Sequence, residues 1–271
     1  MTGKYTDRLQ AAIDLRGGLS LCVGIDPHAS LLEAWGLPVD GEGAERFGRR
    51  VVEALGDRVA VFKPQSGFFE PFGSRGILAL ERILADIRDA GALSIMDAKR
   101  GDIGSTMAGY AQAYLSDESP LRADALTVTP FLGYDSLRPA IDLAARTGRG
   151  LHVLCRTSNP EGHQVQLAVD ATTGMSVAQS VIEQAHSDNE REGLDHVGLV
   201  VGATHDDLRI DLTGFTGVVL VPGVGAQGGT LKGVARQFEG VDGIVLPSAS
   251  REVLAGGPSL AGMQQRVDQI H

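Results

Sequence analysis

The chain has 271 residues, 43% hydrophobic and 21% charged, with a formal net charge of −10. This composition excludes a disordered chain and suits a sizeable core. The acidic balance argues against broad binding to nucleic acid or to anionic membranes, so an anionic ligand must be drawn in by a local cluster of positive groups.

The N-terminal stretch MTGKYTDRLQAAIDLRGG is amphipathic and mixed in charge, without the apolar centre of a signal peptide. Eight short apolar runs follow: 19–25, 59–64, 92–98, 123–131, 150–157, 196–204, 217–224 and 243–250. They are rich in Val, Ile and Leu and mostly continuous, the pattern of parallel strands covered on both faces. Between them, residues 43–56 carry Phe47, Val51 and Leu55 at helical spacing, and 75–90 carry Ile77, Leu80, Leu84 and Ile87. Similar stripes run over 105–115, 136–147, 175–192 and 258–270, with shorter, weaker helices expected over 205–213 and 230–238. Eight evenly spaced strand–helix units predict one α/β domain over 1–271, a (β/α)₈ TIM barrel rather than a doubly wound open sheet. Cys22 and Cys155 fall inside apolar runs and read as buried small hydrophobes. No apolar run approaches the roughly 18–20 residues needed to span a bilayer, so a cytoplasmic protein is expected. The longest irregular stretch, 158–174, follows the fifth strand and has the length of a functional lid.

In such barrels chemistry collects at the C-terminal ends of the strands. There the sequence offers Asp26-Pro27, Lys63-Pro64, Asp97-Ala98-Lys99 leading to Asp102, Ser158-Asn159-Pro160, the glycine-rich 222–229, and Ser250-Arg251. Singly, each has a plain explanation: Asp-Pro forms turns, and a strand-end lysine snorkels to solvent. Together they converge on one face. Asp97 and Lys99, two apart on an extended segment, are expected to emerge on the same side, with Lys63 closing the set from the neighbouring strand. Alternating ammonium and carboxylate groups hold one another charged, but such networks contribute little to stability. Their use is in a reaction where charge appears at a fixed place. The glycines at 223, 225, 228 and 229 are expected to bring backbone N–H groups to an anion, with Arg251 as the bidentate cation and Gln227 as a neutral donor. The spacing is not that of a dinucleotide fingerprint.

The segment Asp97-Ala98-Lys99-Arg100-Gly101-Asp102-Ile103-Gly104-Ser105-Thr106 resembles the D-x-K-x-x-D-I-x-x-T signature of the orotidine 5'-phosphate decarboxylase family. GIDP at 24–27, FKPQ at 62–65, TSNP at 157–160, PGVGAQGG at 222–229 and Ser250-Arg251 agree with it in order and placement. KRGDIGST, FKPQ and the long fifth loop are similar to its longer bacterial, mycobacterial-type subgroup. The resemblance implies a cofactor-free, metal-free lyase that converts orotidine 5'-monophosphate to uridine 5'-monophosphate. It implies that Lys99 delivers a proton to C6, beside Asp97, and that Asp26 and Lys63 contact the ribose. Ser158 would bond the pyrimidine amide, and Pro222, Gln227 and Arg251 would lie along the substrate, with Gln227 and Arg251 on its phosphate. Asp102, Ile103 and Thr106 would serve the site of the other subunit in a homodimer with shared active sites. Arginine here follows PSAS, a departure from the shorter enzymes of the family. The rival readings are a Mg²⁺-dependent sugar-phosphate aldolase or decarboxylase of the same superfamily, and a non-catalytic phosphate-ligand sensor. Arg100 has no role in this scheme.

Overall fold

Runs of Val, Ile and Leu leave a strand no polar face, so both its faces must be covered. A closed ring of parallel strands inside a sleeve of helices does this. The computed structural model describes residues 3–204, 207–225 and 228–270. Its strands are β1 (Cys22–Ile25), β2 (Val61–Pro64), β3 (Leu93–Arg100), β4 (Ala125–Val128), β5 (Gly150–Arg156), β6 (Val197–Val201), β7 (Val219–Pro222) and β8 (Val245–Ala249). They form a closed barrel in sequence order, shut by the parallel pairing of Cys22 with Ser248. The (β/α)₈ expectation is borne out.

The longer helices are Tyr5–Leu15, Gly41–Leu55, Gly73–Asp89, Gly104–Leu115, Arg138–Thr147, Val177–Glu192 and Leu260–Ile270. Helix Gly41–Leu55 starts where the Asp40 carboxylate accepts from Gly43 N, and it fully buries Phe47, Val51 and Leu55 against the barrel. Each such side chain contributes about 1.5–3 kcal/mol by leaving water. Ser176 caps Val177–Glu192 in the same way, and Thr230 caps the short helix Leu231–Gln237. No helix among the described residues is long and apolar enough to cross a membrane.

The expected helix over 205–213 is not formed in its described part, 207–213. Asp207 accepts from Arg209 N and Asp211 from Thr213 N, local bonds that compete with helical ones, and Arg209 takes a φ of 56°. β6 and β7 are thus joined there by irregular chain.

The amphipathic N-terminal stretch forms a helix that stops the N-terminal end of the barrel. Its Tyr5, Leu9, Ala12 and Ile13 pack with the inward-facing Cys22, Val61, Ile95, Leu220 and Leu246. The Tyr5 hydroxyl lies 3.0 Å from Nε2 of His152, which is itself fully buried on β5. Cys22 and Cys155 are free and buried, as expected. With one end closed, the C-terminal end is where a ligand enters.

Candidate active site

At that end a cavity of about 1010 Å³ is lined by Asp26, Lys63, Asp97, Lys99, Ser158, Pro222 and Arg251. Its floor is a charge array centred on Asp97. Lys63 Nζ donates to Asp97 Oδ2 at 2.8 Å, and Gln65 Nε2 to the same oxygen at 2.9 Å. Lys99 Nζ donates to Oδ1 at 2.6 Å, and Thr127 Oγ1 to the same oxygen at 2.9 Å. Each carboxylate oxygen thus has two donors, which fixes the group's orientation as well as its charge. Burial pushes the Asp97 carboxyl up, but Lys63 and Lys99 outweigh it and hold it well below the usual carboxylate range. Burial likewise pulls Lys63 down, and attraction to Asp97 and Asp26 more than reverses this. Lys63 and Asp97 are therefore both ionised at neutral pH.

The local backbone departs from the simple alternation expected of residues 97–99. β3 shifts register against β4 between Met96 and Arg100, and Lys99 takes a φ of 46°. A side chain in this left-handed region is uncommon and costs about 1–3 kcal/mol. Lys99 N is held there by donating to Thr127 Oγ1 at 3.0 Å. The twist sends Lys99 back onto Asp97 while leaving its side chain half exposed to the cavity.

Other expected residues divide into three groups. Asp26 Oδ1 is buried and has no hydrogen-bond partner among the described residues. Ser158, Pro222 and Arg251 line the cavity wall. Asp102, Ile103 and Thr106 are not among the lining residues; Ile103 and Thr106 are exposed, and Asp102 accepts from its neighbour's amide, Ile103 N, at 2.8 Å. Gln227 lies outside the described residues. The glycine-rich loop corrects one expectation. Gly225 N, Gly228 N and Gly229 N donate to Gly229 O, Gly225 O and Gly223 O, so these amides close a turn instead of facing an anion. Positive φ at Gly223, Gly225 and Gly228 serves that turn. Arg100 also finds its place: it bonds Glu70 and sits over the rings of Tyr110 and Tyr114, tying helix Gly104–Leu115 to the loop after β2.

Sequence reasoning missed Gln65 and Thr127 as partners of Asp97. The only signals were a polar Gln directly after β2 and a Thr inside the apolar β4.

Fold and site together define a (β/α)₈-barrel enzyme whose cavity holds a fixed lysine–aspartate–lysine array. Residues 19–261 match the orotidine 5'-phosphate decarboxylase / HUMPS family, and the chain belongs to that family. It is 53% identical to the orotidine 5'-phosphate decarboxylase of Streptomyces coelicolor over 264 residues, 97% of this chain and 94% of that one. A crystal structure assigned as an orotidine 5'-phosphate decarboxylase from Streptomyces avermitilis superposes with a TM-score of 0.94 at 52% identity, covering 99% of this chain and 94% of that one. The Leishmania donovani OMP decarboxylase structure gives 0.76 at 28% identity, covering 99% and 98%. The family likeness read from residues 97–106 is borne out.

Proposed function

We propose that this chain removes CO₂ from orotidine 5'-monophosphate to give uridine 5'-monophosphate, with Lys99 as the proton donor to C6. One observation carries the reading: inside the cavity, Lys63 and Lys99 flank one buried carboxylate, Asp97, at 2.8 and 2.6 Å. Loss of CO₂ from C6 leaves an electron pair perpendicular to the ring π system, where no ring carbonyl can delocalise it. The site must stabilise that pair electrostatically and protonate it. Asp97, saturated by four donors, is too well stabilised as an anion to exchange protons. Lys99, the half-exposed member of the array, has the ammonium that can reach the substrate. Its N–H bond breaks as the C6–H bond forms, and the neutral amine regains a proton from solvent.

The substrate's other groups follow the cavity wall. Asp26, with a buried oxygen to fill, and Lys63 take the ribose hydroxyls. Ser158 takes the pyrimidine amide beside Pro222, and Arg251 the phosphate, with Gln227 as its neutral partner. Binding energy from a phosphate remote from C6 can serve to assemble the site around the reacting carbon. A homodimer with shared sites is part of the proposal. Ile103, Phe131 and Leu132 stand exposed by 63%, 74% and 55%, an apolar face beside Asp102 and Thr106 that suits a second copy. A cytoplasmic location and independence from metal or cofactor are part of the same proposal. The test is to follow pyrimidine absorbance when purified protein meets orotidine 5'-monophosphate with EDTA. Turnover undiminished by chelator is expected; no absorbance change at micromolar enzyme overturns the reading.

A further inference from the structure

Arg156, the last residue of β5, is 1% exposed and is not among the residues that line the cavity. No carboxylate among the described residues lies within ion-pair distance of it; its guanidinium is satisfied by neutral acceptors instead. Nη2 lies 2.8 Å from His163 Nε2, which must accept, since a guanidinium only donates. Nη1 donates to Gln166 Oε1 and to Thr157 O, both at 3.3 Å, and Nε donates to Leu208 O at 3.3 Å. A buried guanidinium thus ties the end of β5 to the fifth loop and to the chain after β6.

Gln166 continues the connection. Its Oε1 also accepts from Thr157 N at 3.1 Å, and its Nε2 donates to Thr157 Oγ1 at 2.6 Å. Gln166 borders the cavity, yet both lone pairs of its oxygen are already used by Arg156 and Thr157. What its oxygen does for a ligand, it does through Thr157. Two glycines make the arrangement tight. A Cβ at Gly162 would come within 2.8 Å of Gln166 Oε1 and 3.0 Å of Thr157 Oγ1. A Cβ at Gly202 would come within 2.8 Å of both Cβ and N of Ser158.

We infer that Arg156 and Gln166 are positioning residues that set Thr157 and Ser158 against β6 before substrate arrives, so that Ser158 meets the pyrimidine from a fixed place. The inference rests on the reading of Ser158 as the pyrimidine contact. It makes residues 157–166 the pre-set part of the fifth loop. A contact made from a fixed place loses little entropy on binding, so loosening it raises KM more than it lowers kcat.

The test is a double-mutant cycle in the full-length enzyme with Ser158→Ala and Gln166→Ala, reading kcat and KM separately. Each single change is expected to lower kcat/KM about tenfold, mostly through KM, and the double variant to be no worse than Ser158→Ala alone. Arg156→Lys, which keeps the charge but not the fork, is expected to fall between wild type and Gln166→Ala. If Ser158→Ala is impaired but the Gln166→Ala loss adds in full on top of it, the positioning role is overturned while the Ser158 contact stands. If Ser158→Ala has wild-type kinetics, the contact itself fails, and this inference with it.

Discussion

Asp97 and Lys63 depend on each other unequally, and that inequality is measurable. Asp97 has four donors, whereas Lys63 donates to Asp97 alone among the described residues and has an 8% exposed side chain. Asp97→Asn therefore strands a buried ammonium, whose remaining help is the more distant attraction of Asp26. Breaking a buried pair in this way costs about 3–5 kcal/mol. Lys63→Met keeps the volume and leaves the carboxylate with Lys99, Gln65 and Thr127. Its cost is that of one charged hydrogen bond, about 1.5–3 kcal/mol. Urea unfolding at pH 7 should order the midpoints wild type, then Lys63→Met, then Asp97→Asn. The pH dependence carries a sign. Asp97's pKa is depressed, so its contribution is complete above the ordinary carboxylate value of about 3.9 and fades as pH falls through the lowered one. Lys63's pKa is raised, so its contribution is complete below about 10.4 and fades only in stronger alkali. The gap between wild type and Asp97→Asn should stay constant from about pH 5 to 9 and narrow in acid. Equal destabilisation by the two substitutions, or the reverse order, would refute the reasoning.

Lys99→Ala should abolish turnover while leaving the fold intact, read as one cooperative urea transition; substantial residual decarboxylation would remove Lys99 as proton donor. Mixing the inactive Asp97→Ala and Asp102→Ala proteins should restore part of the activity, because hybrid dimers carry one intact site. No rescue despite verified subunit exchange counts against sharing. Tyr5→Phe leaves His152 Nε2 without its 3.0 Å partner and should cost about 1–3 kcal/mol with kcat/KM unchanged, measured by unfolding and turnover side by side. Burial pulls the His152 pKa down to about 4, so stability should decline as pH falls from about 6.5 towards that value, and His152→Gln should flatten the decline.

The barrel was legible because its strands are buried on both faces, so Val, Ile and Leu mark them directly. Their ends were less so: the run 123–131 yields a strand only over Ala125–Val128, because Thr129 and Pro130 already belong to the cavity wall. The segment after β6 misled for a local reason, since Asp207 and Asp211 offer hydrogen bonds that a periodicity count does not see. At the site, Lys63, Asp97 and Lys99 were legible as charges at strand ends. Gln65 and Thr127 were not, because a neutral donor at the end of an apolar run or inside one carries no charge to mark it until its acceptor is located. Arg156 was hidden more deeply. Nothing within a single strand indicates that an arginine will turn away from solvent and be held by the loop that follows it.

The left-handed backbone of Lys99 leaves stability nearly indifferent to the residue at position 99. Glycine there would relieve about 1–3 kcal/mol of conformational cost. It would also forfeit a charged hydrogen bond to the buried Asp97 carboxylate, worth about 1.5–3 kcal/mol. The two roughly offset, so a library of this chain sorted for heat resistance alone would not hold lysine at residue 99. The lysine persists only where growth depends on the product, which makes its presence in a descendant sequence a record of continued use.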